Sequence, residues 1–404
     1  MSHAGSVSGR SATTRSASGS GRRLRVALDL AFLEPGAMGG LETYARELAR
    51  ALARRDDVEL VVVASRRLRG DSLVELGRCV WVAGDPKRRL DWVLADQVAV
   101  PRAAARAGAD VVHFLASTAA VAGHVARVVT VHDLAFLRHP RTHFGVRAAG
   151  MAVLVPLAAH RAERVITPSA FVADELVRFL RVPRGRVAVV HEGLGRSVDA
   201  RTAAGDLPRP VAERLAARPR PLVLTASAKR PHKNLARLIR AVALIPPHRR
   251  PLLVLPGYPT PYESELRALA RSLGIEGEVC LLGWVADREL DALYARASCF
   301  VFPSLYEGFG LPVLEAMARG VPVATSDRAS LPEVAGDAAL YFDPLSPHSI
   351  AAALERLLAD ENLAARLRSQ GRERARRFTW DACAEGTVAV YRQALAVAGS
   401  SSRA

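Results

Sequence analysis

Two glutamates, Glu307 and Glu315, stand eight positions apart around the run Gly308-Phe309-Gly310-Leu311-Pro312. Just before them Cys299 to Phe302 is apolar, rich in β-formers and closed by Pro303, which reads as the end of a buried parallel strand. Pro312 suits the first helical position, where its φ is already correct and its missing N–H would have had no partner. A helix is therefore predicted from about Leu311 to Arg319, stopped by Gly320. A strand, a glycine loop and a helix start leave the amides of Phe309, Gly310 and Leu311 unpaired at the positive end of a helix dipole, and such a place binds an anion, most simply a phosphate. Carboxylates repel phosphate, so the two glutamates are better suited to accept hydrogen bonds from hydroxyl groups, as on a ribose and on a sugar ring. A ligand with phosphate between two polyhydroxylated ends, a nucleotide sugar, meets all of these demands. The plainer reading is that Glu315 only complements the dipole and Glu307 is a solvated loop acid, because strand, glycine loop and helix are common in α/β proteins.

A second cluster adds weight. Leu222 to Ala226 reads as a strand, and Ser227 to Asn234 follows as a loop before a helix predicted over Leu235 to Ala243. The loop holds Lys229, Arg230 and Lys233, and a helix dipole disfavours cations at that end. They make sense if an anion neutralises them.

The first half carries matching features. Leu24 to Leu30 is a predicted strand, and Gly39 and Gly40 precede a helix over about Leu41 to Arg54, where a glycine pair admits close approach of a phosphate or simply makes a turn. Strands over Ala109 to Phe114 and Arg127 to His132 end in His113 and His132, and open α/β sheets bind ligands outside that edge. His132 is the stronger functional candidate; a lone histidine is otherwise a satisfied polar group. Arg164 to Pro168 runs into a helix with Ser169 as N-cap, and Val187 to Val190 is followed by His191-Glu192-Gly193. Val279 to Leu282 leads to Gly283-Trp284-Val285, with the Trp284 ring assigned to the core.

These residues need a large α/β scaffold. The chain has 404 residues, half of them hydrophobic, which is too many for one core and suggests two domains. Four scattered cysteines, Cys79, Cys280, Cys299 and Cys383, form neither a metal cage nor a disulfide framework and point to the cytoplasm. The net charge of +16 is carried largely by arginines spread over predicted helices, which reads as a solvated surface. No nucleic-acid motif accompanies it, so no nucleic-acid partner is expected. Residues 1–22 lack apolar periodicity and an apolar signal core, and are expected to be a disordered tail. Ala148 to Ala159 is too short to span a bilayer, so any membrane contact would be peripheral.

The Glu307 to Glu315 spacing, the segment His132-Asp133-Leu134 and the basic loop ending Lys233-Asn234 together resemble the retaining glycosyltransferases of family four, over about residues 24 to 395. The resemblance implies the GT-B fold: two Rossmann-like parallel-sheet domains facing a central cleft, with a C-terminal helix crossing back to the first. The expected division is a tail to residue 22, an acceptor domain over 23–205, a donor domain over 206–376 after a connection spanning Arg196 to Pro221, and a crossover helix and tail over 377–404. It also implies site roles. Gly39 and Gly40 would face the donor; Arg230, Lys233 and the amides of Phe309, Gly310 and Leu311 would hold its diphosphate. Glu315 would take the ribose, the backbone of Val285 the base, and Glu307 with His132 the transferred sugar. The resemblance leans toward mannose from GDP-mannose, passed by front-face displacement to a glycan, lipid-linked or small-molecule hydroxyl, with no metal or other cofactor. A lipid-linked acceptor would bring the protein to the inner face of the plasma membrane. Two departures stand out. Ala228 occupies the place of a common arginine, leaving Lys229, Arg230 or His232 to supply that cation, and Glu192 stands where asparagine is frequent. A sugar-nucleotide epimerase of the same architecture and a basic non-catalytic binding protein are the alternative readings.

Overall fold

The computed structural model describes residues 22–138, 146–195 and 206–401. The N-terminal tail and residues 196–205 of the connection lie outside the described residues. Among the described residues thirteen strands form two sheets. The first holds Leu24–Leu30 (β1), Val58–Ser65 (β2), Arg78–Val82 (β3), Val111–Phe114 (β4), Ala126–Thr130 (β5), Arg164–Thr167 (β6) and Val187–Val189 (β7) in the order β3-β2-β1-β4-β5-β6-β7. The second holds Leu222–Leu224 (β8), Leu252–Leu255 (β9), Val279–Leu281 (β10), Cys299–Phe302 (β11), Val323–Ser326 (β12) and Ala339–Phe342 (β13) in the order β10-β9-β8-β11-β12-β13. Every pairing is parallel.

Each sheet is therefore a doubly wound Rossmann-like sheet, whose order reverses between β1 and β4 in one and between β8 and β11 in the other. Ligands of such sheets bind at this reversal, beyond the C-terminal strand ends. Both faces are covered, which is why the strands read as nearly continuous apolar runs. On the first sheet Val26, Leu28 and Leu30 pack toward the helix Gly40–Ala53, while Ala27, Val61 and Phe114 pack on the opposite face.

The last helix, Trp380–Ser401, returns to the first sheet and buries Cys383, Ala384, Val388, Tyr391 and Ala394 in its core. His113 marks the junction. Its ring nitrogens lie 2.8 Å from the Tyr391 hydroxyl and 2.8 Å from Thr130 Oγ1, which in turn lies 2.9 Å from the Tyr44 hydroxyl. This histidine ties β4 and β5 to the first and last helices and is fully buried.

Several expectations need correcting. The strand predicted to end at His132 stops at Thr130, leaving the histidine free to turn toward the cleft. Pro312 is the second helical residue, since Leu311 opens the helix. Pro322 precedes β12, where its carbonyl accepts from the Phe300 amide, so no ladder donor is lost. The connection up to Pro221 contains a helix, Arg209–Ala217, which buries Val211 and has Pro208 before its first residue and Pro210 in its first turn. Trp284 is 53% exposed and stacks on Tyr258 with ring centres 4.6 Å apart, because it follows the end of β10 and so lies at the rim of the sheet. Among the described residues no helix is long and apolar enough to cross a membrane.

One buried feature answers to pH. Asp29 in β1 accepts from the Ala31 amide at 2.9 Å, and Asp96, in the helical stretch after β3, accepts from the Thr118 hydroxyl at 2.5 Å. Burial pushes both carboxyls above the usual carboxylate range, and the charge of Asp29 pushes Asp96 further. The folded chain thus holds a proton that the unfolded chain releases above about pH 4. Between the unfolded and folded values the native state binds more protons, so stability falls as pH rises through that interval. Asp29→Asn removes the need for the proton. Its melting temperature should exceed that of the wild type at pH 8, with the gap narrowing toward pH 5; a gap independent of pH would show that the pair is not protonated.

Candidate active site

The two sheet reversals face each other, and the site residues sit between them. In the second lobe Asn234 sets the geometry. Its backbone is left-handed, with φ 60°, at the junction of the short turn Pro231–Lys233 and the helix Leu235–Leu244. Its side-chain amide donates to the carbonyls of Pro303 at 3.0 Å and Pro344 at 2.7 Å. The amide of Leu305 donates to the His232 carbonyl at 2.9 Å. The basic loop after β8 is thereby fastened to the glutamate loop after β11, and Lys233 Nζ reaches Glu307 Oε1 at 2.6 Å. Both members of the pair are mostly covered, with side chains 17% and 12% exposed.

Past Glu307 the chain is pinned again, as the Ser330 hydroxyl reaches the carbonyls of Glu307 at 3.0 Å and Phe309 at 2.6 Å. Gly310, with φ 122°, then turns the backbone into the helix Leu311–Ala318 through a conformation that side chains rarely permit. Among the described residues nothing accepts from the amides of Phe309, Gly310 or Leu311, as an anion site requires. Glu315 is half-buried one turn on, with the Tyr294 hydroxyl 3.4 Å from its Oε2. The Phe309 ring itself is buried, packed against His191 and Phe378.

The first lobe meets this surface closely. A Cβ on Gly40, the first residue of the opening helix, would lie 3.8 Å from Leu311 Cδ1, so the two helix starts adjoin across the cleft. Gly39 is the N-cap of that helix and has open space beside it. His132 lies opposite Gly308. Its Nε2 is 2.8 Å from the Leu115 carbonyl and its Nδ1 3.3 Å from Glu192 Oε1, with the Tyr44 ring edge-on at 4.7 Å. Burial draws the His132 pKa down, but the Glu192 carboxylate and the Leu115 carbonyl outweigh it, and the imidazolium is favoured.

The three residues near Ala228 that could supply a cation are placed differently. Lys229 is fully buried; its ammonium donates to the carbonyls of Gly257 at 2.8 Å and Leu282 at 2.5 Å and lies 3.4 Å from Glu263. It therefore clasps the ends of β9 and β10 from inside the second lobe. The His232 side chain is buried as well. Arg230 is exposed beside Lys233 and is the remaining cation of the loop. Val285 is half-buried against the core of the second lobe.

Sequence reasoning passed over the residues that join the lobes. Ser169, besides capping its helix by accepting from the Val172 amide at 3.3 Å, donates to the Gly308 carbonyl at 2.7 Å. Glu333 accepts from the amides of Ala170 and Phe171 at the start of the Ala170–Leu180 helix and lies 2.8 Å from His191 Nε2. The Tyr306 hydroxyl accepts from the Leu134 amide at 2.8 Å and donates to Glu175 at 2.5 Å. No spacing rule reaches these partners, which lie more than 130 positions apart in the chain.

Two family profiles match the two lobes: "Glycosyltransferase Family 4" over residues 38–195 and "Glycosyl transferases group 1" over residues 212–374. The chain is 33% identical over 267 residues to O-antigen chain mannosyltransferase B of Escherichia coli, covering 66% of this chain and 70% of that one. The chain belongs to the group 1, family 4 glycosyltransferases. Over 392 residues this glycosyltransferase is also 31% identical to the D-inositol 3-phosphate glycosyltransferase of Xylanimonas cellulosilytica, covering 89% of the one and 93% of the other. Its fold is that of the Anabaena protein Alr3699/HepE, solved with UDP and glucose, with a TM-score of 0.69, 20% identity and coverage of 91% of this chain and 99% of that one.

The tightest point of the glycosyltransferase cleft is Gly308, where a Cβ would come within 1.9 Å of the His132 carbonyl oxygen. Neither backbone can yield without moving a lobe. Gly308→Ala should thus hold the lobes apart, sharply reducing turnover while leaving each lobe folded. Unchanged activity in a well-folded variant would show that the approach is not needed for catalysis.

Proposed function

We propose that this glycosyltransferase moves a hexose, mannose from GDP-mannose, onto a hydroxyl of a glycan, lipid-linked or small-molecule acceptor with retention of configuration. The observation that carries the reading is the meeting of Lys233, Glu307 and the free amides of Phe309 to Leu311 directly across from His132 and Gly40. In this reading the amides, Lys233 and Arg230 take the diphosphate, Glu315 the ribose hydroxyls, the backbone at Val285 the base, and Glu307 with His132 the sugar. Mannose is favoured by the similarity to the Escherichia coli mannosyltransferase.

The reaction asks most of the leaving group. As the bond from the anomeric carbon to the phosphate oxygen breaks, negative charge gathers on the diphosphate, and preformed cations and amides stabilise it without reorganising. The acceptor oxygen forms its bond on the same face, and its proton passes to the departing phosphate oxygen. Lys233 and Arg230 would supply the positive charge, so no metal is called for.

Lys233 has a competing partner in Glu307. Donor binding must draw it from Glu307 or share it, which frees the carboxylate to receive a sugar hydroxyl. Lys233→Ala should weaken binding of the free nucleoside diphosphate by about tenfold or more, as expected for a lost charge-assisted hydrogen bond. Calorimetry showing equal affinity would remove the assignment. Turnover should also persist in EDTA; loss of activity restored by magnesium or manganese would overturn the metal-free part of the proposal.

A lipid-linked acceptor would place the cytoplasmic protein against the inner face of the membrane. The surface suited to that contact carries Leu90 and Leu94, 78% and 61% exposed in the first lobe, with Lys87 and Arg88 beside them. Replacing both leucines by serine should reduce sedimentation with anionic vesicles; equal sedimentation would dismiss this surface.

A further inference from the structure

We propose that Glu192 is a positioning residue that fixes His132 as a doubly donating imidazolium at the sugar end of the cleft. Both ring nitrogens of His132 meet groups that can only accept: the Leu115 backbone carbonyl at 2.8 Å and the Glu192 carboxylate at 3.3 Å. A neutral imidazole has one N–H and could satisfy only one of them. The ring that serves both carries a proton on each nitrogen.

Glu192 supplies the second half of the argument. It is only 4% exposed, and His132 is its one ion-pair partner among the described residues. A buried carboxylate without a cation is costly, so the pair is held together from both sides. The surroundings reinforce this. Asp133, next in the chain, adds a further negative charge near the ring. His113 on β4, pressed by burial and by the His132 charge, stays neutral with its pKa down to about 3. Tyr44 of the first helix and Cys383 of the last, both near Glu192, are pushed up by burial and by neighbouring negative charge. Tyr391, beyond His113, is likewise raised by burial.

The consequence builds on the transferase reading above. With both nitrogens engaged, His132 acts as a fixed charge rather than as an acid or base that gives up its proton. Its backbone borders Gly308, next to Glu307, so the paired charges of His132 and Glu192 lie beside the sugar end of the cleft. Once His132 loses its proton the Glu192 charge is left uncompensated there, which disfavours a leaving group that becomes anionic. The sign follows directly. His132 is held protonated above the ordinary histidine value of about 6.5, so the charge is complete below that pH and is lost as pH rises through the raised value.

The test is a titration of the full chain labelled with ¹⁵N-histidine, with the His132 signals assigned by their absence in His132→Gln. Both ring nitrogens should remain protonated at pH 6.5 and lose one proton only at higher pH. In Glu192→Gln the midpoint should fall by about one pH unit or more, as loss of a nearby opposite charge dictates. The basic limb of kcat/KM should move to lower pH by the same amount, and Glu192→Asp should restore part of both shifts. A neutral His132 in the wild type at pH 6.5, or a midpoint unchanged in a folded Glu192→Gln, would overturn the proposal. The wild-type titration decides even if the glutamine variant does not fold. Because the titration needs no substrate, it can succeed while sugar transfer is not observed, which would count against the transferase reading alone.

Discussion

The structure turns on a contact between two backbones. Gly308 approaches the His132 carbonyl so closely that no side chain fits, and every other feature of the cleft takes its place from that contact. One residue before it Glu307 meets Lys233, one residue after it the Phe309 ring enters the core of the second lobe, and two residues after it the backbone turns into the Leu311 helix. On the other side His132 lies just past β5, held by Leu115 just past β4 and by Glu192 past β7. Loops usually place functional groups loosely. Here Asn234 and Ser330 anchor the loop at both ends, so it behaves as part of the scaffold.

Charged groups in the cleft are paired internally. Lys233 faces Glu307, His132 faces Glu192, and His191 faces Glu333. A partly buried charge left without a partner would destabilise the closed arrangement, and the desolvation cost grows as the lobes come together. Pairing Lys233 and His132 with carboxylates lowers the cost of burying their charges in the closed arrangement. It also makes binding an exchange, in which an incoming diphosphate competes with a carboxylate for the same ammonium. Affinity then depends on the difference between two strong interactions, which favours a ligand bearing more negative charge than Glu307 supplies.

Local pattern revealed most of what local physics decides. The strands β1 and β11 have the limits that their apolar runs and punctuating residues predict, and the helix start at Leu311 was legible from Pro312. Strands β3 and β13 were missed because their sequences, Arg-Cys-Val-Trp-Val and Ala-Leu-Tyr-Phe, are partly exposed at sheet edges and give no clean buried run. Trp284 was misplaced because the size of a ring says nothing of where its strand ends. Lys229 and Arg230 show the limit most sharply. Neighbours of the same charge, they have opposite fates, one clasped by two strand-end carbonyls and the helix residue Glu263 and the other exposed, and only the path of the surrounding backbone separates them.

The same contrast of local and distant forces governs how the lobes can part. At the mouth of the cleft they are joined by polar contacts: Ser169 to Gly308, Glu333 to the Ala170 and Phe171 amides, Tyr306 to Leu134. Each contributes about 0.5–1.5 kcal/mol net, since water replaces the partner when the contact breaks. At the back the last helix buries Val388, Tyr391 and several smaller side chains in the first lobe, and exposing each large one would cost about 1.5–3 kcal/mol with no replacement from water. Opening to admit a donor therefore releases the mouth and keeps the helix docked. The motion must then be absorbed where the two crossing segments lie side by side, at Gly193 to Gly195 against Phe378 to Trp380, joined by the Leu194 amide to the Phe378 carbonyl at 3.0 Å and by Trp380 Nε1 to the Leu194 carbonyl at 2.6 Å. Gly193 there has no room for a side chain against the Trp380 backbone, so the two segments are packed together as one unit between the lobes.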